Sequence, residues 1–171
     1  MVRAMDAYVG LETEPGSESA AYRVLRERGV ETYHTLGAHH LICRVQSFAN
    51  IDEFRKLIDS MLFTTENNRP IVENMTSYII VNHHRNGTER PTAFAFMRTS
   101  KLPSRASFDK MVTDVLAVPC VVAVSVVVGL FDLVCEIVTK NVAELRSVVD
   151  QIVSVPGVSS RSRMVCIVLE T

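Results

Sequence analysis

Two short stretches of the sequence carry the side chains best suited to binding a ligand. Residues 37–43 read Gly-Ala-His-His-Leu-Ile-Cys and include His39 and His40, whereas residues 129–135 read Gly-Leu-Phe-Asp-Leu-Val-Cys and include Asp132. A carboxylate can accept charge-assisted hydrogen bonds from a ligand ammonium group, and a histidine can act as an acid, a base or a metal ligand near neutral pH. Both stretches are therefore candidate binding sites.

The histidines give little support for a metal site or for catalysis. Neighbouring residues on a strand point to opposite faces, so His39 and His40 cannot hold one ion together. His83 and His84 fall in a polar stretch, where we expect solvated side chains, and no H-E-x-x-H or H-x-H motif is present. A phosphate-binding glycine loop and a nucleophile elbow are also absent from the sequence. We therefore predict neither a metal nor a cofactor, and no catalytic residue in the leading interpretation.

The two stretches belong to a longer internal repeat. Gly37 and Gly129 are 92 residues apart, and Asn50-Ile-Asp-Glu-Phe-Arg55 matches Asn141-Val-Ala-Glu-Leu-Arg146 at an offset of 91. Two motifs in the same order at nearly the same offset indicate a duplication. Each Asn has a Glu three residues later, which predicts a variant of the capping box at the start of a helix.

Each half predicts the element order βαββαβ. In the first half, the predicted strands are 5–11, 30–35, 41–45 and 77–81, with helices after Ser17 and Asn50. In the second half they are 92–97, 121–128, 133–139 and 164–169, with helices around 108–116 and after Asn141. The predicted domains are therefore a first repeat at 1–82, a polar linker at 83–91 and a second repeat at 92–171.

This order predicts an α+β fold made of two ferredoxin-like βαββαβ repeats. Such a unit has helices on one face of its sheet only. The strands here are apolar at both alternating positions, so we expect the helix-free faces to be buried as well. The economical arrangement packs sheet against sheet, as a pseudo-two-fold dimeric α/β barrel within one chain.

Three motifs carry a resemblance to a known family. Glu14-Pro-Gly16, the Gly-x-x-Asp-Leu of Gly129–Leu133, and Val155-Pro-Gly-Val158 resemble the effector-binding (RAM) domain of Lrp/AsnC regulators, present here as two copies. The resemblance implies a dimeric α/β barrel that assembles further and binds amino acids or other small molecules near the Gly-x-x-Asp turn. The site residues it implies are Gly37, His39, His40, Gly129, Phe131 and Asp132. The family's usual N-terminal helix-turn-helix has no room before the first predicted strand.

The leading functional hypothesis is a regulatory module that binds a small-molecule effector, an amino acid in the first instance. Its expected partners are further copies of the chain and a DNA-binding regulator of the same family. The alternative is an enzyme of the α/β-barrel type, similar to monooxygenases or to decarboxylases acting on tetrapyrroles, that uses His39 and His40. A tandem ACT-type regulatory domain shares the βαββαβ order, but the hairpin glycines match the RAM pattern better.

Composition bears on DNA binding, membrane insertion and location in the cell. The chain has 171 residues and a formal net charge of −1, which disfavours specific or non-specific DNA binding by the chain itself. The apolar run from Val115 to Phe131 is too short and too interrupted for a membrane span. The four cysteines form no C-x-x-C pair and read as buried free thiols, so the expected location is the cytoplasm.

Overall fold

The computed structural model describes residues 4–63, 65–66, 69–100 and 104–169, and the chain forms two compact units. The N-terminal unit comprises Met1–Ile80 with Leu169–Thr171, and the C-terminal unit comprises Val81–Val168. The described residues contain four α-helices, and every strand pair that follows is antiparallel. The predicted α+β class is confirmed. No helix in the described ranges is long and apolar enough to cross a membrane.

The N-terminal unit has the strand order expected of a ferredoxin-like sheet. Its elements are β1 (Met5–Thr13), α1 (Glu18–Glu27), β2 (Glu31–Leu36), β3 (Leu41–Phe48), α2 (Ile51–Leu62), β4 (Thr65–Glu66), β5 (Arg69–Pro70) and the first part of β6 (Val72–Arg85). The sheet order is β6–β1–β3–β2. The small β4–β5 hairpin was not predicted from the sequence.

The C-terminal unit repeats that order without the extra hairpin. Its elements are the end of β6, then β7 (Ala93–Thr99), α3 (Arg105–Leu116), β8 (Val121–Val128), β9 (Leu133–Ile137), α4 (Val142–Ser154) and β10 (Val158–Val168). The sheet order is β10–β7–β9–β8. Each unit taken by itself therefore has the βαββαβ order predicted from the sequence.

The same capping arrangement begins the second helix of each unit. Asn50 Oδ1 accepts from the Glu53 backbone N–H at 2.9 Å, and Asn141 Oδ1 accepts from Glu144 N–H at 2.9 Å. Both glutamates reach back to the residue before the asparagine, at 2.6 Å and 2.7 Å. These bonds satisfy backbone donors that the first helical turn leaves unpaired. The predicted capping-box variant is confirmed at both positions.

Several strands extend beyond the predicted ranges through polar residues, and the two largest extensions are at the end of β6 and the start of β10. Strand β6 runs to Arg85 instead of ending at Val81, so His83 and His84 lie in a strand and not in a linker. Their polar side chains find partners there, as described below. Strand β10 begins at Val158 instead of Met164, and its pairing with β7 shifts register between Val158 and Arg163. Residues 159–163 are serines and arginines, so this part of the strand has no apolar alternation and was not predicted from the sequence.

Both faces of the C-terminal sheet are buried. Ala93, Ala95 and Met97 of β7 pack with α3 and α4 in one core cluster. Phe94 and Phe96 alternate with them, therefore lie on the helix-free face, and are fully buried as well. The sequence expectation that strand residues are buried at both alternating positions is confirmed for this strand.

Candidate functional site

The C-terminal turn, residues 129–132 between β8 and β9, is tied to the end of β7. The Asp132 N–H donates to Met97 O at 3.0 Å, and Val127 N–H donates to Asp132 O at 2.9 Å. Asp132 Oδ2 accepts from the Thr99 N–H at 2.7 Å and from Thr99 Oγ1 at 3.2 Å. The carboxylate is therefore held half-buried in a fixed position beside the turn.

A second side chain of β7 contacts this turn. Arg98 is exposed, and its Nε donates to Leu130 O at 2.8 Å. Val128 and Leu130 are 63% and 58% exposed, so the turn presents apolar surface to solvent. The Phe131 ring is half-buried and lies against Phe96, with ring centroids 6.0 Å apart. A cation, an anion and an apolar surface thus meet at one turn.

The N-terminal turn, residues 37–40 between β2 and β3, repeats the hydrogen-bond plan with a different side chain. The His40 N–H donates to Leu11 O at 2.8 Å, and Thr35 N–H donates to His40 O at 2.8 Å. His40 Nδ1 accepts from the Thr13 N–H at 3.0 Å and lies 3.0 Å from Thr13 Oγ1. Since Nδ1 accepts a backbone N–H, the ring proton of neutral His40 is on Nε2. His40 therefore fixes the turn as Asp132 does.

His39 has a different environment from His40. Its ring lies over Gly10, where a Cβ would come within 2.3 Å of His39 Cδ2. His39 Nε2 is 3.2 Å from Tyr78 Oη, and the side chain is buried. Burial lowers the pKa of His39 below its usual value, against an opposing effect of nearby Glu12 that raises it; His40 lowers it further. The two rings engage different partners, as the strand geometry of the sequence predicts.

The helix-free face of the C-terminal sheet carries polar side chains that sequence analysis did not select. Glu136 is 2% exposed and forms an ion pair with Arg85 at the end of β6. His83 Nδ1 is 2.8 Å from Oγ of the fully buried Ser125. His84 Nε2 accepts from Asn82 Nδ2 at 2.9 Å. The expectation of solvated histidines at 83 and 84 is wrong, because both rings have hydrogen-bond partners.

The predicted site residues are therefore grouped by turn. Gly37, His39 and His40 lie at the N-terminal turn, and Gly129, Phe131 and Asp132 lie at the C-terminal turn. Gly37 has a φ of 153°, whereas Gly129 is not among the glycines of positive φ, so the second turn does not depend on glycine's conformational freedom.

Sequence analysis missed the residues of β1 and β7 that contact the turns. A signal existed, because Leu11-Glu12-Thr13 matches Met97-Arg98-Thr99 as apolar, charged, threonine. Hydrogen bonds confirm the correspondence, since each threonine binds the last residue of its turn. Gly10 and Phe96 are equivalent by the same count.

Comparison with protein families gives a match in the C-terminal part of the chain. Residues 92–169 match the family model of the Lrp/AsnC ligand binding domain. A search of curated protein sequences gave no match.

Solved structures with a similar fold cover nearly the whole chain at low identity. A mutant chlorite dismutase from Candidatus Nitrospira defluvii in complex with cyanide has a TM-score of 0.62 at 10% identity, covering 98% of this chain and 91% of that one. A putative monooxygenase from Fusobacterium nucleatum subsp. nucleatum has a TM-score of 0.52 at 11% identity, covering 99% and 94%. At such identities the likeness is one of fold alone.

Proposed function

We propose that the chain is a regulatory module of the Lrp/AsnC type that binds a small-molecule effector, an amino acid, at the C-terminal turn. The match of residues 92–169 to the Lrp/AsnC ligand binding domain is the observation that carries this proposal. The geometry of the turn supports it, because Thr99 holds the Asp132 carboxylate in place before any ligand arrives. A site whose groups are already positioned loses less entropy on binding.

Asp132 is proposed to accept hydrogen bonds from the ligand's ammonium group. Its Oδ2 is bonded to Thr99, and no donor among the described residues is bonded to Oδ1. A hydrogen bond to a charged group contributes about 1.5–3 kcal/mol. The N-terminal turn has His40 in this position, where a neutral imidazole cannot replace the charge. We therefore propose that the N-terminal turn binds this ligand weakly or takes a different one.

We also propose that the two units pack as a pseudo-two-fold α/β barrel and that chains assemble into a homo-oligomer. The buried helix-free side chains of β7 support the first part. Ligand binding would then exert its regulatory effect through assembly of the chains or through a DNA-binding regulator of the same family. Light scattering tests the second part: a particle of 19.0 kDa at micromolar concentration would contradict assembly.

A thermal-shift screen against the amino acids tests the proposed function first. A ligand present at about 100 times its Kd stabilises the folded protein by about 2.7 kcal/mol. Calorimetry then compares Asp132→Asn, which keeps an oxygen acceptor for Thr99 but removes the charge, with His40→Ala. We expect Asp132→Asn to weaken binding about tenfold or more and His40→Ala to matter less. Unchanged affinity in a folded Asp132→Asn variant would move the site elsewhere.

The second candidate function is an α/β-barrel enzyme that uses the histidines of the N-terminal turn. Burial lowers the pKa of His39 and so favours the neutral form that a general base requires, and Tyr78 orients its ring. His40 is less suitable, because its Nδ1 is bonded to Thr13. His39 is not placed to hold a tetrapyrrole, since its Nε2 is bonded to Tyr78 and its ring lies over Gly10. A Soret band in the purified protein would favour this candidate, and added haem whose Soret band keeps the position of free haem would count against it.

A further inference from the structure

We propose that Arg98 binds the carboxylate of the amino acid at the C-terminal turn, and that the N-terminal turn, which has Glu12 in the equivalent position, offers the same ligand neither ionic contact. The inference rests on the proposed function and extends it. It assigns the second charged group of the site and predicts how many ligands one chain binds.

The hydrogen bond from Arg98 to the turn orients its guanidinium group. A guanidinium has five N–H donors, and the bond from Nε to Leu130 O at 2.8 Å uses one of them. No carboxylate among the described residues forms an ion pair with Arg98, and its side chain is exposed. The donors on its two Nη atoms can therefore form the bidentate pair that arginine makes with a carboxylate.

Arg98 and Asp132 provide opposite charges at the same turn. The backbone N–H of Thr99 fixes the Asp132 carboxylate, and the carbonyl oxygen of Leu130 fixes the Arg98 guanidinium. An α-amino acid carries the complementary pair, an ammonium and a carboxylate on one carbon. Val128 and Leu130 expose apolar surface at the turn, which suits an apolar side chain on the ligand. The chemical class is therefore an apolar α-amino acid in its zwitterionic form.

The N-terminal turn has a different set of charges. Glu12 holds the position of Arg98, since Leu11 and Thr13 on either side bind His40 as Met97 and Thr99 bind Asp132. A glutamate there repels a ligand carboxylate, and the His40 imidazole carries no negative charge to pair with an ammonium group. Ala38, a smaller residue, replaces Leu130. The same ligand therefore lacks both ionic contacts at this turn.

Calorimetry with three probes tests the assignment: L-leucine, isoamylamine, which lacks the carboxylate, and 4-methylpentanoate, which lacks the ammonium. In Arg98→Gln we expect the affinity for L-leucine to fall about tenfold or more. The affinity for isoamylamine should stay as in the wild type, because this probe has no group for Arg98. Arg98→Lys keeps the positive charge, so its affinity for L-leucine should fall less than that of Arg98→Gln. Glu12→Gln, the matched control in the other unit, should bind L-leucine as the wild type does.

The outcomes separate the inference from the proposed function. If Arg98→Gln lowers the affinity for L-leucine and for isoamylamine by the same factor, Arg98 only supports the turn and the inference is wrong. If Arg98→Gln binds L-leucine as tightly as the wild type, the inference is wrong while the proposed function stands. If a polar amino acid passes the thermal-shift screen and neither L-leucine nor another apolar one binds up to millimolar concentration, the apolar class is wrong. If no amino acid binds, the proposed function fails and the inference with it.

Discussion

The N-terminal and C-terminal turns share one hydrogen-bond plan and differ in almost every side chain that could do chemistry. In both, the last residue of the turn accepts from the backbone N–H of a threonine and lies within hydrogen-bond distance of its hydroxyl. The pairs that differ are Gly10 and Phe96, Glu12 and Arg98, His39 and Phe131, and His40 and Asp132. The backbone plan therefore fixes where a side chain stands, and the residue there decides what it can bind.

The sheet face beside each turn is covered by an aromatic ring, but the ring comes from the strand in one unit and from the turn in the other. In the C-terminal unit Phe96 of the strand occupies the face, and Phe131 of the turn packs against it half-buried. In the N-terminal unit the strand has Gly10, and His39 of the turn lies on it instead. In each unit one ring lies directly on the sheet. It is Phe96 of the strand in the C-terminal unit and His39 of the turn in the N-terminal unit. This exchange puts a buried titratable ring at the N-terminal turn, where the C-terminal turn has a phenylalanine.

The largest effect is expected from removing the strand-borne ring. Phe96→Ala deletes a fully buried side chain and should lower the free energy of unfolding by about 3–5 kcal/mol, measured by urea titration. Phe131→Ala is the matched control and should cost less, because Phe131 is half-buried. A Phe96→Ala cost no greater than that of Phe131→Ala would contradict this account of the C-terminal turn.

A methyl group at Gly10 should reveal how closely His39 lies on the strand. Gly10→Ala places its Cβ about where the His39 ring now lies, and overpacking of this kind costs about 1–3 kcal/mol. The cost should largely disappear in a His39→Ala background, which a double-mutant cycle of unfolding free energies measures. Additive effects of the two substitutions would show that the ring does not depend on Gly10.

The buried imidazole should make the N-terminal unit sensitive to acid. Because burial lowers the pKa of folded His39, the unfolded chain binds the proton more tightly. Stability should therefore be complete above about pH 6.5, the unfolded value, and fall as the pH drops towards the folded value. The slope contributed by one proton is at most about 1.4 kcal/mol per pH unit. Unfolding titrations from pH 7.5 to 5 should show this component in the wild type and its loss in His39→Phe.

The smallest expected effect distinguishes the charged acceptor from the neutral one. Asp132→Ala removes charge-assisted bonds from Thr99 and should cost about 1.5–3 kcal/mol, whereas His40→Ala removes neutral bonds from Thr13 worth about 0.5–1.5 kcal/mol. The difference of about 1 kcal/mol is measurable by urea unfolding of the two variants. An equal cost would mean that the Asp132 charge adds nothing to the fold of its turn.

Much of the fold could be predicted from local sequence signals. Alternating apolar strands, the Asn50 and Asn141 caps and the hairpin turns all depend on residues close in the chain, and the structure contains each of them. The end of β6 could not be predicted in this way. His83 and Arg85 read as linker residues because their partners, Ser125 and Glu136, lie far away in the sequence.

The site was predicted in part for a similar reason. Asp132 and the histidines stood out within their turns, but Gly10, Glu12, Arg98 and Thr99 are separated from those turns by a helix and a strand. The role of a single glycine or arginine, such as Gly10 or Arg98, cannot be predicted until its neighbour across the sheet is known. Only the matched offset of 86 between Thr13 and Thr99 joins them in the sequence, and that offset differs from the 92 of the turns.

The number of amino acid molecules bound per chain tests the central claim most directly. Equilibrium dialysis of the intact protein against labelled L-leucine at saturation should give one molecule per chain, since only the C-terminal turn carries both Arg98 and Asp132. At a free concentration near the wild-type Kd, the occupancy should fall from about a half to about a tenth or less in Arg98→Gln and stay at about a half in Glu12→Gln. Two molecules per chain at saturation, or an unchanged occupancy in Arg98→Gln, would contradict the account.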